Sequence, residues 1–175
     1  YLPGWEIFAI DSTTIPCSIK LAEWALGKHS KGGVKMHTVL DLRGSIPDSI
    51  YITDSRYHDS NYLDVYEPCK WAIYTMDKAY VDLEALYRMT ENEAYFVTRA
   101  KTPMKYEVVE TNYNINDLVG IVGDKTIRFT GYASRKKYPK DLRFVEFYDA
   151  EKEEVIIFLT NNFELGPLVI ANIYR

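Results

Sequence analysis

The chain is 175 residues long, begins at Tyr1, and carries 21 Lys+Arg against 25 Asp+Glu, a formal charge of -4. That length suits one domain able to bury roughly two-thirds of its extended-chain surface, and 47% hydrophobic with 26% charged residues is a globular composition rather than a disordered one. The mild acidity gives no sign of a protein that coats nucleic acid by bulk charge, no apolar run approaches the roughly 18 residues of a membrane span, and no signal peptide opens the chain.

Trp5 to Ile10 is an apolar run closed by Asp11, which predicts a buried strand delivering an acid at its end. Residues 12 to 33, with Pro16, Gly27, Gly32 and Gly33, read as a loop holding one short helical turn around Leu21 to Leu26. Val34 to Leu42 alternates apolar and polar residues; after a turn at Arg43-Gly44-Ser45, Ile46 to Thr53 completes a hairpin. Asp59 to Glu67 opens with an N-cap candidate and predicts a helix stopped by Pro68. Trp71 to Met76 is a second apolar strand, again followed by an acid, Asp77. Val81 to Glu91 has helical spacing with Asp82 near its start, and Ala94 to Thr98 is a short strand.

From Lys105 to Phe163 the pattern becomes β-rich. Strands are predicted at Tyr106 to Thr111, Thr126 to Thr130, Leu142 to Tyr148 and Val155 to Thr160, separated by turn formers such as Gly120, Gly123, Asp124 and Gly131. Leu165 to Arg175 begins a helix with Pro167 at an allowed early position. The order fits an α/β domain with a mixed sheet, flanking helices and a β-rich insertion. Residues 1–102 plus 161–175 form the core in this reading, and 103–160 the insertion subdomain.

Asp11 and Asp77 are the most informative pair, because each ends a strongly apolar strand. In open α/β sheets, ligands bind outside the carboxyl ends of strands. If these two strands are neighbours, both carboxylates reach one edge, where they repel unless a cation sits between them. Magnesium is held by one or two carboxylates plus substrate phosphates, and paired metals activate water or hydroxyl for phosphoryl transfer. Either acid can equally cap a following loop, since acids after strands are common turn residues. Cys17, Cys69, His29, His37 and His58 show no zinc-ligand spacing, and the two cysteines make no disulfide framework, so a reducing cytosol is the expected compartment.

Several segments carry a resemblance in chain order. They are Ala9 to Thr14, Lys35 to Asp41, Ile52-Thr53-Asp54 with His58-Asp59, Met76 to Asp82, Phe96 to Lys101, Leu159 to Asn162, and Ile173-Tyr174-Arg175. Together they resemble the DDE transposases of bacterial insertion sequences, most of all the insertion-sequence-four family. The resemblance implies a ribonuclease-H-like core and two divalent ions, Mg2+ or Mn2+, held by Asp, Asp and Glu. Asp11 matches the first acid. Asp77 matches the second, within Asp77-Lys78-Ala79-Tyr80. Tyr174 matches the start of the signature Tyr, two residues, Arg, three residues, Glu, six residues, Lys. The rest of that signature falls beyond Arg175, and Glu154 and Glu164 precede it, so neither stands in for the third acid. A chain cut from a longer protein at both ends is therefore expected, with a DNA-binding part upstream in the parent, and with near-null catalysis and weak metal binding in this chain itself.

Lesser candidates keep a bland alternative. Arg99, Lys101, Lys35, Lys105 and Lys31 can form a phosphate-facing set that positions a DNA backbone, or a solvated face. Arg135-Lys136-Lys137-Tyr138-Pro139-Lys140 can grip DNA or form an exposed hairpin tip. His37 either orients Asp11 across the sheet or, the favoured reading, is a satisfied strand histidine; Asp41 reads as a turn acid, Asp54 as a turn acid before a spare acid close to the site, Asp59 as a helix cap, and His58 is open between packing and a place near the site. Tyr113 and Tyr132 are speculative stacking partners for an extruded base. The function expected is that of a transposase catalytic core acting on double-stranded transposon ends and target DNA, self-associating in the DNA complex, in the bacterial cytoplasm at the nucleoid and not on a membrane. The rivals are a stand-alone metal-dependent nuclease and an inactive transposase-derived DNA-binding or scaffold domain.

Overall fold

Alternating and continuous apolar runs build one nine-stranded sheet among the described residues of the computed structural model, which are 4–17, 32–112, 115 and 120–175. An antiparallel meander comes first: β1 (Ile7–Cys17), β2 (Gly32–Asp41) and β3 (Ile46–Asp54). The single-turn helix α1 (Asp59–Tyr62) leads to β4 (Ile73–Met76), which runs parallel to β1. A 3-10 turn (Lys78–Tyr80) and α2 (Leu83–Glu91) cross over to β5 (Tyr95–Arg99), parallel to β4. Then follow β6 (Tyr106–Thr111), β7 (Ile121–Phe129), α3 (Tyr132–Lys137), β8 (Leu142–Asp149), β9 (Glu154–Thr160) and α4 (Pro167–Tyr174). The strand order is β3-β2-β1-β4-β5-β9-β8-β7-β6. The β-rich stretch thus extends the sheet itself, through β9 paired antiparallel to β5.

Two cores lie on the two faces. Phe8, Ile10, Tyr74, Met76, Phe96, Phe144 and Leu159 pack with Ala85, Leu86 and Met89 of α2. Ile73, Val97, Val145, Ile156 and Phe158 pack with Ile170 and Ala171 of α4. Neighbours such as Phe96 and Val97, or Phe158 and Leu159, point to opposite cores, as strands covered on both faces must. Among the described residues no helix is long and apolar enough to cross a membrane.

Three elements differ from the sequence reading. β1 does not stop at Asp11 but continues through Ser12, Thr13 and Thr14 to Cys17. Beyond Ile10 it pairs only with β2, so Pro16, which has no N–H to donate, tolerates this one-sided stretch. The expected helical turn at Leu21 to Leu26 lies outside the described residues. The helix expected over 59–67 is a single α-turn followed by tighter bonds, Leu63 N to Ser60 O and Asp64 N to Asn61 O. Its N-cap is His58, which makes no side-chain cap bond; Asp59 is the first helical residue, and its carboxylate accepts from Ser12 Oγ. Gly123 and Asp124 are not turn residues but lie inside β7. The pairing register shifts between Ile121 and Gly123, and a Cβ at Gly123 would meet the carboxylate end of the Glu146 side chain.

A buried ion pair fixes the start of α4. Asp124 and Arg143 are 3% and 7% exposed and share two 2.8 Å bonds. Arg143 Nη1 also donates to the carbonyls of Asn162 (3.2 Å) and Leu165 (2.6 Å), in the segment that enters α4. Burial raises the Asp124 carboxyl, but the bonds from Arg143 and Asn112 outweigh it and hold it below its ordinary range. Removing one partner leaves a buried charge uncompensated. Asp124→Ala is therefore expected to lose about 3–5 kcal/mol in urea unfolding; a loss under about 1 kcal/mol would mean that water reaches Arg143.

Candidate metal and phosphate site

The parallel ladder between β1 and β4 ends at Ile10 opposite Met76. The next residue on each strand is Asp11 and Asp77, and both are exposed. Adjacent strands run about 4.8 Å apart, so the two acids leave neighbouring backbone positions. Ile10 and Met76 fill the core under α2, so alternation directs Asp11 to the opposite face, the one α4 covers. Asp77 also starts the 3-10 turn, its Oδ1 accepting from Ala79 N at 3.1 Å. The capping role and the site role thus coexist in Asp77.

Helix α4 carries Tyr174 to the same edge. Its phenol is raised above its ordinary value by burial first, then by the Asp77 charge, with Arg99 opposing. Tyr174 also packs on Phe158, ring centroids 5.1 Å apart. Asp77, Lys78, Ala79, Ala100, Lys101 and Thr102 line a cleft of about 400 Å³, and Lys78, Arg99 and Glu154 line an adjoining one of about 290 Å³. Lys101 is steadied by a 2.7 Å bond to Val81 O, and Arg99 by a 3.0 Å bond to Glu154. Two cations, Lys78 and Lys101, therefore border the cleft into which Asp77 opens, and Arg99 lines the adjoining one. Lys78 was not among the residues singled out in the sequence, although its place beside Asp77 was the available signal.

The other candidate residues fall elsewhere. Lys105 is exposed just before β6 and lines neither cleft. Lys35 is 12% exposed, and its Nζ donates to Tyr57 O at 2.7 Å and Asp59 Oδ1 at 3.1 Å. It faces the α2 side, as does its cross-strand neighbourhood Ser12 and His37. Lys31 and Tyr113 lie outside the described residues. Asp41 and Asp54 each accept from a backbone N–H two residues on, at 2.9 Å, as turn acids do. The basic run is helical rather than a hairpin tip: Lys137 pairs with Glu84 and Lys140 with Glu91, both acids of α2, while Tyr138 is buried. Tyr132 is 86% exposed on α3. Glu154 and Glu164 bind Arg99 and the Tyr95 hydroxyl.

Behind Asp11, on the α2 side, lies a polar cluster that the sequence reading did not assemble. Ser12 Oγ donates to Asp59 Oδ1 at 2.7 Å. His37 is fully buried, stacked on Tyr62 with centroids 5.1 Å apart. Its Nε2 meets Thr53 Oγ1 at 3.2 Å, while Nδ1 stands 4.0 Å from Asp59 with no hydrogen-bond partner. The hairpin register, Ser12 opposite His37 and Thr14 opposite Lys35, was the signal that these side chains share a face.

Among the described residues no three His, Cys, Asp or Glu side chains cluster as a metal cage. Two exposed carboxylates at one level, one of them on a cleft bordered by cations, suit instead a hard divalent ion that completes its shell with water and substrate phosphate oxygens. The donor set fits magnesium or manganese.

The 3-2-1-4-5 order of the first five strands, with β2 antiparallel to β1 and β4 and β5 parallel to it, is a ribonuclease-H-like fold with two acids at the ends of its central parallel strands. The transposase DDE domain family matches residues 3–175, and the chain belongs to it. Sinorhizobium fredii y4zB, described as a transposase, is 30% identical over 169 residues, 95% of this chain and 47% of that protein. A Geobacillus stearothermophilus protein, described as a transposase for insertion sequence element IS5377, is 26% identical over 168 residues, 95% of this chain and 43% of that protein. The chain thus spans about half the length of these relatives. The piggyBac transposase, solved as a synaptic complex with hairpin DNA, shares the fold with TM-score 0.50 and 15% identity, over 94% of this chain and 34% of that one.

Burial holds His37 below its ordinary 6.5; Asp59 opposes this and Lys35 adds to it. The unfolded imidazole takes up a proton near 6.5 and the folded one resists it. The stability this group contributes is therefore full above about pH 6.5 and declines as the pH falls below it. Urea unfolding between about pH 7.5 and 5.5 is expected to show this loss in the wild type and a shallower one in His37→Gln; equal slopes would mean that His37 is as easily protonated folded as unfolded.

Proposed function

We propose that this chain is catalytic core of a DNA transposase, in which Asp11 and Asp77 are two of the carboxylates that hold divalent metal at the scissile phosphate. The observation that carries this reading is the shared level of the two acids where β4 leaves β1, on the face toward α4. Bound there, Mg2+ or Mn2+ supplies activation of the attacking water or DNA 3′ hydroxyl and stabilisation of the leaving oxygen. The chain's own residues bind and orient. Asp11 and Asp77 offer oxygen donors, and the Ala79 N–H fixes the rotamer of Asp77. Lys78, Arg99 and Lys101 are placed to hold DNA phosphates beside them without reading sequence.

Tyr174 opens the family signature in this reading. Its Glu would follow seven residues later in the parent protein, two helical turns further along the same helix face, about 10 Å beyond Tyr174. The relative solved on hairpin DNA, and the transposase descriptions of the bacterial relatives, support double-stranded transposon ends and target as substrate. Self-association within that DNA complex belongs to the same reading.

In the full-length parent, Asp11→Asn and Asp77→Asn are each expected to lower metal-dependent cleavage of transposon ends by about a thousandfold, equivalent to ~4 kcal/mol. Both sites are exposed, so unfolding midpoints should hardly move. Retained cleavage in either variant would sink the assignment. Cleavage without joining of the ends to target DNA would make the parent a nuclease instead. Arg99→Gln and Lys101→Gln should each weaken DNA binding uniformly across sequences and reduce the salt slope by about one.

A further inference from the structure

From Ile7 to Ile10, β1 is held on both edges, by β2 and by β4. From Asp11 onward only β2 remains, because β4 turns away at Asp77. The first proposed ligand therefore sits at the point where its strand loses half of its support. A strand held on one edge is free to twist, and a twist there would swing the Asp11 carboxylate away from Asp77.

The next residue is anchored by another device. Ser12 Oγ donates to Asp59 Oδ1 at 2.7 Å, and the same oxygen accepts from Lys35 Nζ at 3.1 Å. Lys35 also grips Tyr57 O at 2.7 Å, just ahead of α1. Asp59 is only 23% exposed at its side chain. The sequence predicts it as an N-cap, but the N-cap position is held by His58 and Asp59 is the first helical residue. The carboxylate is turned instead toward β1. Burial raises its pKa, but Ser12 and Lys35 outweigh burial and keep it ionised and a strong acceptor. The result is one anion tying three elements: β1 one residue past Asp11, β2 through Lys35, and the segment of α1.

We propose that Asp59 is a positioning residue for the Asp11–Asp77 pair, acting through the Ser12 hydroxyl to fix β1 where β4 departs. The inference rests on the proposed metal role of Asp11 and Asp77 and adds a residue whose bonds go to Ser12 and Lys35 rather than to either acid. Ser12 and Asp11 are joined by a planar peptide and point to opposite faces, so pinning one sets the direction of the other. Octahedral magnesium-type sites tolerate little ligand displacement, which makes metal affinity the sensitive readout.

The test is Mn2+ titration of the full-length parent, followed by loss of the free-ion EPR signal, with unfolding midpoints measured in parallel. Ser12→Ala changes no charge and is expected to weaken Mn2+ binding about tenfold, in the range for groups that hold a metal ligand in place. Ser12→Thr, which keeps a hydroxyl, should restore it. Asp59→Asn should weaken binding at least as much, and the Ser12→Ala/Asp59→Asn double variant should be no worse than Asp59→Asn alone. A purely structural tie would lower the midpoint and leave the affinity of the folded protein unchanged. If Ser12→Ala binds within about twofold of wild type while Asp77→Asn abolishes binding, the positioning role is overturned and the metal site stands. Weakening by Asp59→Asn with Ser12→Ala unchanged would mean that the charge acts through space, which also overturns it. If Asp77→Asn itself leaves Mn2+ binding intact, the proposed metal site and this inference fall together.

Discussion

The divergence of β4 from β1 after Ile10 and Met76 is the constraint on which the rest depends. Up to that level both strands are covered on both faces and admit almost only apolar side chains, since an unpaired polar group there would lose its hydration. At that level the covering ends for both strands at once, because a parallel register advances them in step. The first residues free to be charged are consequently neighbours. The fold thus creates a place where two acids are possible, and the sequence fills it with Asp11 and Asp77.

A second constraint brings α4 to that place. The helix has no side-chain cap at its N-terminus and starts from Gly166 and Pro167. What locates it is apolar packing of Ile170 and Ala171, and the Arg143 guanidinium gripping the carbonyls of Asn162 and Leu165. Arg143 is in turn fixed by Asp124, two strands out in the β-rich extension. The extension is therefore mechanically coupled to the site: β7 and β8 hold the segment from which α4 departs, and α4 ends with Tyr174 near the Asp77 charge. A buried ion pair adds little net stability over apolar packing. Its planar, directional fork is better suited to setting the position of a chain segment.

What was legible in the sequence was whatever depends on local pattern. The strands β2, β3, β5, β6, β8 and β9, the helices α2 and α4, and the Asp82 cap follow from periodicity and turn residues, because these are decided within a few residues. Asp11 and Asp77 could be singled out because an acid after an apolar run is itself a local signal. What escaped depends on pairing across the chain. Ser12 to Pro16 looks like loop, and is strand only because β2 pairs with it. Asp59 looks like a cap, but the cap position falls on His58, and the Asp59 carboxylate bonds Ser12 and Lys35 on other strands. Gly123 looks like a turn, and lies at a register shift inside β7. The α3 helix overlaps the start of a basic run, and what sets that run against the sheet is Tyr138, buried beside Thr90 and Tyr87 of α2.

The same distinction bears on charge. A net charge of -4 argues against a DNA partner only if charges act as a sum. Much of the sum cancels locally, in pairs such as Arg128–Asp141, Lys125–Glu146 and Lys140–Glu91. The densest basic run in the sequence is partly committed to such pairs, whereas Lys78, Arg99 and Lys101, spread over 24 positions, converge on one pair of clefts. Even Arg99 is paired, with Glu154, but both side chains are substantially exposed, at 32% and 48%. An exposed pair of that kind is worth at most about 1 kcal/mol. Under the proposed function, a phosphate in the cleft beside Arg99 would offer it two charge-assisted bonds in place of one, and a pair this weak would give way to it.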